Sequence, residues 1–100
     1  MLPRIKSILA VEPFKVTTLW NTGEVREIDF TPLLAEYETK PQSHFYPLLN
    51  PTEFSRVQTD GRTLYWNDLA TMHNYDGKPI PAPLDFCPDV LFSHSRLVMN

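Results

Sequence analysis

Prolines restrict this chain more than any other residue type does. Ten of its 100 residues are proline, and each one fixes φ and removes a backbone N–H donor. Pro41, Pro47 and Pro51 exclude a long regular element between residues 39 and 51. Three further prolines alternate within residues 74–83, which favours an extended or edge-strand excursion over a helix. The helices of this chain are therefore predicted to be short.

Turn residues between runs of β-forming residues predict antiparallel hairpins. Gly23 suits the left-handed position of a three-residue loop, and Asp60-Gly61 suits a two-residue turn that places Val57 opposite Leu64. Strands are predicted near residues 3–11, 14–20, 24–30, 56–59 and 63–66. The predicted fold class is α+β, a small antiparallel sheet of about 4–6 strands with about two or three short helices.

Pairs of a capping residue and a proline mark where short helices begin. Proline costs nothing at the first helical position, because the N–H that it lacks would be unpaired there. The pairs are Thr31-Pro32 and Asn50-Pro51, and Cys87-Pro88 marks a third helix entrance. Residues 67–72 are predicted to add a further helical turn or two, capped by Asn67.

The chain has the size and composition of one domain. Its 100 residues, of which 42% are hydrophobic, can bury an independent core without disulfides or metal. A single domain is therefore predicted over residues 1–100, with its core within about residues 3–92. Residues 93–100 are predicted to form a loosely held tail.

Charge and cysteine usage bound the partners and the compartment. The formal net charge of −3 gives no general attraction to phosphate backbones or anionic lipid. We therefore expect no direct contact with nucleic acid and no membrane association, and no stretch approaches the ~20 apolar residues of a membrane span. The single cysteine, Cys87, cannot form an internal disulfide, which suits a reducing compartment and predicts a cytoplasmic location.

Several ordered motifs resemble one known family. They are the N-terminal strand pair, the hairpin WNTGEVREIDFTPLL, the segment NPTEFSRVQTDGRTLYW and the closing DFCPDVLF. These motifs cover most of residues 3–92 and resemble the small bacterial domain-of-unknown-function family 2442. The resemblance implies a mostly stand-alone α+β domain with an antiparallel sheet. Some members are fused to or encoded beside other small domains, including helix-turn-helix modules, and the resemblance also implies an antitoxin-like role.

The chain departs from the family pattern in one segment. Residues 67–84 are interposed where the family's tryptophan strand runs almost directly into its final acidic-Pro-Asp motif. No helix-turn-helix extension follows the last motif within the sequence. The resemblance therefore gives no support to direct DNA binding.

Cys87 has two readings. As a nucleophile with His94 as its base, it needs a lowered pKa and orienting groups, but no glycine-rich elbow and no oxyanion-hole motif accompany it. As a structural residue at a helix entrance, it fills a small apolar gap while Asp89 meets the helix N-terminus. The structural reading is favoured, and it predicts a cost of about 1 kcal/mol for Cys87→Ala.

Other polar residues give no recognisable catalytic, metal or cofactor pattern. The histidines lack metal-ligand spacing, and three glycines leave no phosphate-cradling loop. Solvation and helix capping explain the acidic clusters more simply than general acid–base catalysis does. No catalytic residue, metal ligand or cofactor is therefore predicted. The residues concerned are His44, His73, His94, Glu24, Glu27, Asp29, Asp85 and Asp89.

The favoured hypothesis is a small non-enzymatic module that binds a protein partner or itself. Amphipathic aromatic residues are favoured at such surfaces. The candidate interaction residues are Trp20, Tyr65, Trp66, Asp85 and Asp89. The alternative is a small-molecule-binding domain or weak enzyme with a pocket near Cys87, between the sheet and the loop at residues 39–50. Accessory DNA binding through a partner is a third hypothesis, but nine basic residues spread along the chain promise no basic face.

Overall fold

The computed structural model describes residues 2–99 and contains two antiparallel sheets joined by short helices. The four-stranded sheet has the order β1-β2-β3-β7, and the three-stranded sheet has the order β4-β5-β6. The strands are β1 (Ile5–Glu12), β2 (Lys15–Trp20), β3 (Val25–Asp29), β4 (Gln58–Thr59), β5 (Leu64–His73), β6 (Pro79–Asp85) and β7 (Ser95–Met99). The helices are α1 (Thr31–Ala35), α2 (Pro51–Phe54) and α3 (Pro88–Ser93), with 3₁₀ turns at Glu36–Thr39 and Tyr46–Leu49. The predicted α+β fold class with antiparallel pairing is confirmed.

Proline stands in the first turn of each α-helix, as the sequence predicts. Asn50 caps α2, because its side-chain oxygen accepts hydrogen bonds from the backbone N–H of Thr52 (2.8 Å) and of Glu53 (3.4 Å). Helix α1 begins at Thr31 itself, whose N–H donates to the carboxylate of Asp29 at 2.9 Å. This hydrogen bond is the main cause that lowers the pKa of Asp29 below its ordinary value of 3.8.

One hydrophobic core lies between the two sheets and the helices. Strand β2 alternates buried and less buried residues, which brings Val16, Thr18 and Trp20 to the core face. The three-stranded sheet contributes Leu64, Trp66 and Leu84, all nearly fully buried. The remaining buried hydrophobic residues are Ile5, Ile28, Phe30, Leu34, Leu48, Phe54, Val57 and Leu91.

Hydrogen bonds join the start of β1 to the three-stranded sheet. The N–H of Ile5 donates to the carbonyl of Arg62 at 3.0 Å. The hydroxyl of the buried Thr63 donates to the carbonyl of Phe86. The loop between β4 and β5 is therefore fixed to both β1 and the chain that enters α3.

The β4–β5 turn is wider than the two-residue turn predicted at Asp60-Gly61. Gln58 pairs with Tyr65 and Thr59 pairs with Leu64, so Val57 does not lie opposite Leu64. The carboxylate of Asp60 accepts hydrogen bonds from the N–H of Arg62 and of Thr63, each at 3.0 Å. The bond from Thr63 is the main cause that lowers the pKa of Asp60. A side chain that binds the backbone two and three residues ahead opens the turn.

Residues 67–72 are extended, and the predicted helical turn there is wrong. They belong to β5, which pairs with β6 and continues to His73. Between the Trp66–Leu84 and Ala70–Ala82 pairs, β5 contains more residues than β6, which forms a bulge. Asp68 accommodates the bulge with a φ of 64°. The predicted extended excursion at residues 74–83 matches β6 and the turn before it.

Residues 95–99 form β7 and are not a loosely held tail. Strand β7 pairs antiparallel with β3. The side chain of Arg26 donates to the hydroxyl of Ser95 at 2.6 Å, and that hydroxyl donates to the carbonyl of Phe92 at 2.6 Å. The guanidinium of Arg96 contacts the carboxylate of Glu27 at 3.1 Å. Polar side chains therefore hold this strand, and apolar periodicity gave no sign of it.

We expect Ser95→Ala to lower the free energy of unfolding by about 1–2 kcal/mol, because it removes two partly buried hydrogen bonds. Ser93→Ala is the matched control, since the hydroxyl of Ser93 is exposed and donates to the carbonyl of Val90 at the end of α3. The control should cost less than about 0.5 kcal/mol. Urea unfolding followed by tryptophan fluorescence measures both variants. Equal stability of the two variants would contradict the assigned role of Ser95.

Candidate interaction surfaces

Residues 71–81 form an exposed β-hairpin that we call the arm. Every residue of the arm is exposed, whereas Leu69 and Ala70 just before it pack against the core. The arm contains the end of β5, the turn after it and the start of β6. Core contacts therefore end at the bulge, and the arm extends beyond it.

The arm has one apolar face. Met72 pairs with Ile80, and Ala70 pairs with Ala82, so these four side chains lie on the same side of the ribbon. The opposite side carries Thr71 and His73 with two prolines of β6. Met72 is 52% exposed and Ile80 is 37% exposed. Large apolar side chains on a two-stranded ribbon therefore face solvent.

Hydrogen bonds order the tip of the arm. The N–H of Asn74 donates to the carbonyl of Lys78 at 3.1 Å. The side-chain oxygen of Asn74 accepts from the N–H of Asp76 and of Lys78, each at 3.0 Å. Gly77 adopts a φ of 76°, which a residue with a Cβ resists. This turn presents the ring of Tyr75, which is fully exposed.

The two indoles predicted as interaction residues lie in the core. Trp20 is 0% exposed and Trp66 is 1% exposed. The Nε1–H of Trp66 donates to the carbonyl of Phe54 at 2.9 Å. The ring of Trp20 meets Phe92 edge-on at 5.2 Å between centroids. Burial therefore gives both indoles a role in core stability.

The other three predicted interaction residues reach the surface. The hydroxyl of Tyr65 donates to the side chain of Gln58 across β4 and β5 at 2.9 Å. Asp85 is exposed and lies 3.7 Å from Arg62. Asp89 is exposed in the first turn of α3, where the partial positive charge of the helix end favours an acid. A binding role for these residues stays a prediction.

Cys87 stands at the entrance of α3, as predicted. Its backbone is extended, and its carbonyl accepts hydrogen bonds from the N–H of Val90 (3.0 Å) and of Leu91 (3.2 Å). The thiol is exposed, however, so the prediction that it fills an apolar gap is wrong. Pro88 and Leu91 are the buried residues of this helix. The side chain of Cys87 therefore points away from the core that the helix covers.

One polar depression of about 360 Å³ lies where β3, β7 and α1 meet. Glu27 lies in it between Lys15 (3.9 Å) and Arg96 (3.1 Å). The Nδ1 atom of His94 lies 3.0 Å from the carbonyl of Val90. Its charged groups are thus largely paired with one another. Among residues 2–99, no cluster of three His, Cys, Asp or Glu side chains is arranged to hold a metal ion.

Basic side chains are mostly engaged with acids. Within the described part of the chain, Arg4, Lys6 and Lys78 are the basic residues outside the ion pairs. Arg4 and Lys6 flank Ile5, whose N–H donates to the carbonyl of Arg62. The start of β1 therefore carries a small concentration of positive charge on a chain whose net charge is −3.

Sequence reasoning missed the arm as a candidate surface. A signal was present, because Asp76-Gly77 is a turn pair and the apolar residues Met72 and Ile80 stand symmetrically about it. The prolines of β6 indicated an extended or edge strand but not that it pairs with β5. Proline is tolerated in an edge strand where its missing N–H would face outward.

The comparisons with known proteins give one fold neighbour. The crystal structure of the putative DNA binding protein NE0471 from Nitrosomonas europaea superposes with a TM-score of 0.59 at 23% identity. The match covers 94% of this chain and 49% of that one, so the chain spans about half the length of its neighbour. No family model matches the chain, and no curated protein matches it. The resemblance to domain-of-unknown-function family 2442 therefore stays a prediction.

This neighbour corrects the expectation that the chain makes no direct contact with nucleic acid. A protein of the same fold is described as a putative DNA binding protein, so an acidic net charge alone is no ground for that expectation. Net charge is a property of the whole chain, whereas phosphate contacts depend on where the basic side chains lie.

None of the helices in residues 2–99 has both the length and the apolar character that a membrane crossing requires.

We expect Cys87→Ala to change the free energy of unfolding by less than about 0.5 kcal/mol, because an exposed thiol fills no core space. Leu91→Ala, in the same helix, is the contrasting variant and should cost about 2–5 kcal/mol. Denaturant unfolding measures both. A loss above about 1 kcal/mol for Cys87→Ala would restore the structural role that the sequence suggested.

Proposed function

We propose that this chain is a non-enzymatic interaction module of a regulatory kind, and that it binds protein through the arm. The observation that carries the proposal is the exposed apolar face formed by Met72 and Ile80 beyond the core. A reducing, cytoplasmic site of action suits the single thiol.

The physical basis is the cost of leaving such a ribbon uncovered. An isolated two-stranded hairpin is marginally stable in water, and exposed apolar patches mark interaction sites. The ordered turn around Asn74 holds Tyr75 in position before binding, which lowers the entropy that a partner must offset. Tyrosine is also enriched at interfaces, because its ring is apolar and its hydroxyl is polar.

The polar groups favour binding over catalysis. The small-molecule or enzymatic alternative calls for a pocket that unites Cys87 with a histidine and a carboxylate. The depression that contains His94 and Asp29 is open and lined without Cys87. Its carboxylate Glu27 is neutralised by two basic neighbours, so a general base has no obvious place there.

The regulatory part of the proposal is supported by the fold neighbour. About half of a protein described as a putative DNA binding protein matches this chain, so we propose that the module belongs to an assembly that works on or beside DNA. The antitoxin-like role implied by the family resemblance belongs to the same class of function.

The arm can be tested by making its apolar face polar. We expect Met72→Thr combined with Ile80→Thr to reduce retention of specific protein partners at least about tenfold, because burying each apolar side chain contributes about 1.5–3 kcal/mol. Threonine keeps the strand preference of the ribbon. Capture on the immobilised chain with quantitative mass spectrometry measures the loss.

The matched control is Leu97→Thr combined with Val98→Thr on β7, where the side chains are similarly exposed at 47% and 45%. The control should retain partners as the unmodified chain does. Equal retention by the arm variant and the control would contradict binding through the arm.

Direct DNA contact is a second candidate function, which the fold neighbour favours. We expect a labelled duplex at physiological salt to bind with a dissociation constant of about 10⁻⁴–10⁻⁶ M, the range of non-specific binding. Arg4→Gln combined with Lys6→Gln should weaken it, while Lys40→Gln, which removes a cation paired with Glu36, should not. Fluorescence anisotropy measures the three proteins. Equal binding by all of them would argue against contact through the start of β1.

A further inference from the structure

We infer that the partner of the arm is a second copy of this chain, which pairs its β5 edge with the same edge of the first copy. The inference rests on the proposed function and names its partner. It follows from the hydrogen-bonding groups on the two edges of the arm, which differ completely.

The outer edge of β6 has no N–H donors along the arm. The N–H of Asn74 donates to Lys78, so the pairs that exchange backbone hydrogen bonds continue in steps of two to Met72–Ile80 and Ala70–Ala82. The residues between them on β6 direct their backbone groups outward. These residues are Pro79 and Pro81, with Pro83 next along the strand. An added strand would find acceptors there but no donors.

The outer edge of β5 is open beyond the core. Strand β4 covers β5 only at Leu64 and Tyr65. By the same alternation, the N–H and C=O groups of Thr71 and His73 face away from β6. Within residues 2–99, neither residue has a hydrogen-bond partner on that side. The arm therefore offers one edge with two donors and two acceptors.

A second copy satisfies all of these groups with one register. Two identical edges related by a two-fold axis pair antiparallel, and Thr71 of each chain then lies opposite His73 of the other. Pairing Thr71 with itself would instead require His73 to meet Leu69, which lies in the bulge and packs against the core. The favoured register places the two Met72 side chains directly opposite each other.

Charge and side-chain chemistry favour a copy over an unrelated strand. Residues 69–73 carry no acid or lysine or arginine, so self-pairing brings no fixed like charges together. The apolar faces of the two ribbons become continuous through the paired Met72 side chains. The β1 edge of the four-stranded sheet suits pairing less well, because β1 has two register shifts along its length.

The test combines association with the position of one cross-link. Sedimentation of the whole chain at micromolar to about 100 μM concentration is expected to show a monomer–dimer equilibrium. His73→Pro removes an outward N–H without touching the β5–β6 hydrogen bonds and should raise the dimer dissociation constant at least about tenfold, since two intermolecular bonds are lost per dimer. Pro81→Ala changes the other edge of the same ribbon and should leave the constant within about twofold. Thermal unfolding verifies that both variants fold.

A cross-link tests the register in a way that does not depend on the proline variant. In a Cys87→Ala background, Met72→Cys should form an intermolecular disulfide rapidly under copper–phenanthroline oxidation. In the inferred register, the two residues at position 72 form a non-hydrogen-bonded antiparallel pair, whose Cα atoms lie about 4.5 Å apart. Val98→Cys, at similar exposure on β7, should react at least about tenfold more slowly.

The outcomes separate the inference from the function on which it rests. A chain that stays monomeric at 100 μM, or equal cross-linking at the two positions, overturns pairing through β5. If the chain stays monomeric while partner capture still depends on Met72 and Ile80, the proposed function survives and the partner is a different protein. If capture and dimerisation both ignore the arm, the two proposals fail together.

Discussion

The contact between Trp66 and Phe54 connects the three-stranded sheet to α2, and the packing of the core depends on it. The indole N–H of Trp66 donates to the backbone carbonyl of Phe54 at 2.9 Å in the buried core. The ring of Phe30, which directly follows β3, contacts both side chains. Its centroid lies 5.2 Å from that of Phe54 and 5.8 Å from that of Trp66. An unpaired carbonyl in this buried environment would be costly. The hydrogen bond therefore restricts how the indole of Trp66 and the backbone of Phe54 are placed relative to each other. It therefore fixes β5 to α2 just before the bulge from which the arm extends.

The bulge after Trp66 separates stability from recognition. Before the bulge, β5 contributes Leu64 and Trp66 to the core, so a change at either residue alters the core. Beyond Leu69 and Ala70, the same strand is exposed along its whole length. Polar substitutions in the arm therefore remove little core burial, whereas a comparable change at Trp66 would disturb both sheets. A local irregularity of this kind also re-aims a strand, as bulges commonly do near functional sites.

Local rules of turns and caps recovered much of the fold from the sequence. Gly23 and the proline-marked helix starts were readable because each depends on a few adjacent residues. The predicted β4–β5 register was wrong because the side chain of Asp60 binds the backbone and widens the turn. The prediction of a loose tail at residues 93–100 was wrong because Arg26 contacts Ser95 across 69 residues, and no local sequence pattern indicates such a contact. The burial of Trp20 and Trp66 could not be predicted for the same reason, since it is set by long-range contacts.

The prolines that limit helix length also limit how this chain can associate. A ribbon with two open edges would let each copy pair on both sides, and head-to-tail addition would continue without closure. Prolines 79, 81 and 83 leave β6 without outward donors, so one edge alone can form a full set of hydrogen bonds. In the pair we infer, the open β5 edges of the two copies cover each other, and the β6 edges, which lack outward donors, face solvent. Association through the arm would then stop at two copies, because no unpaired donor remains along it.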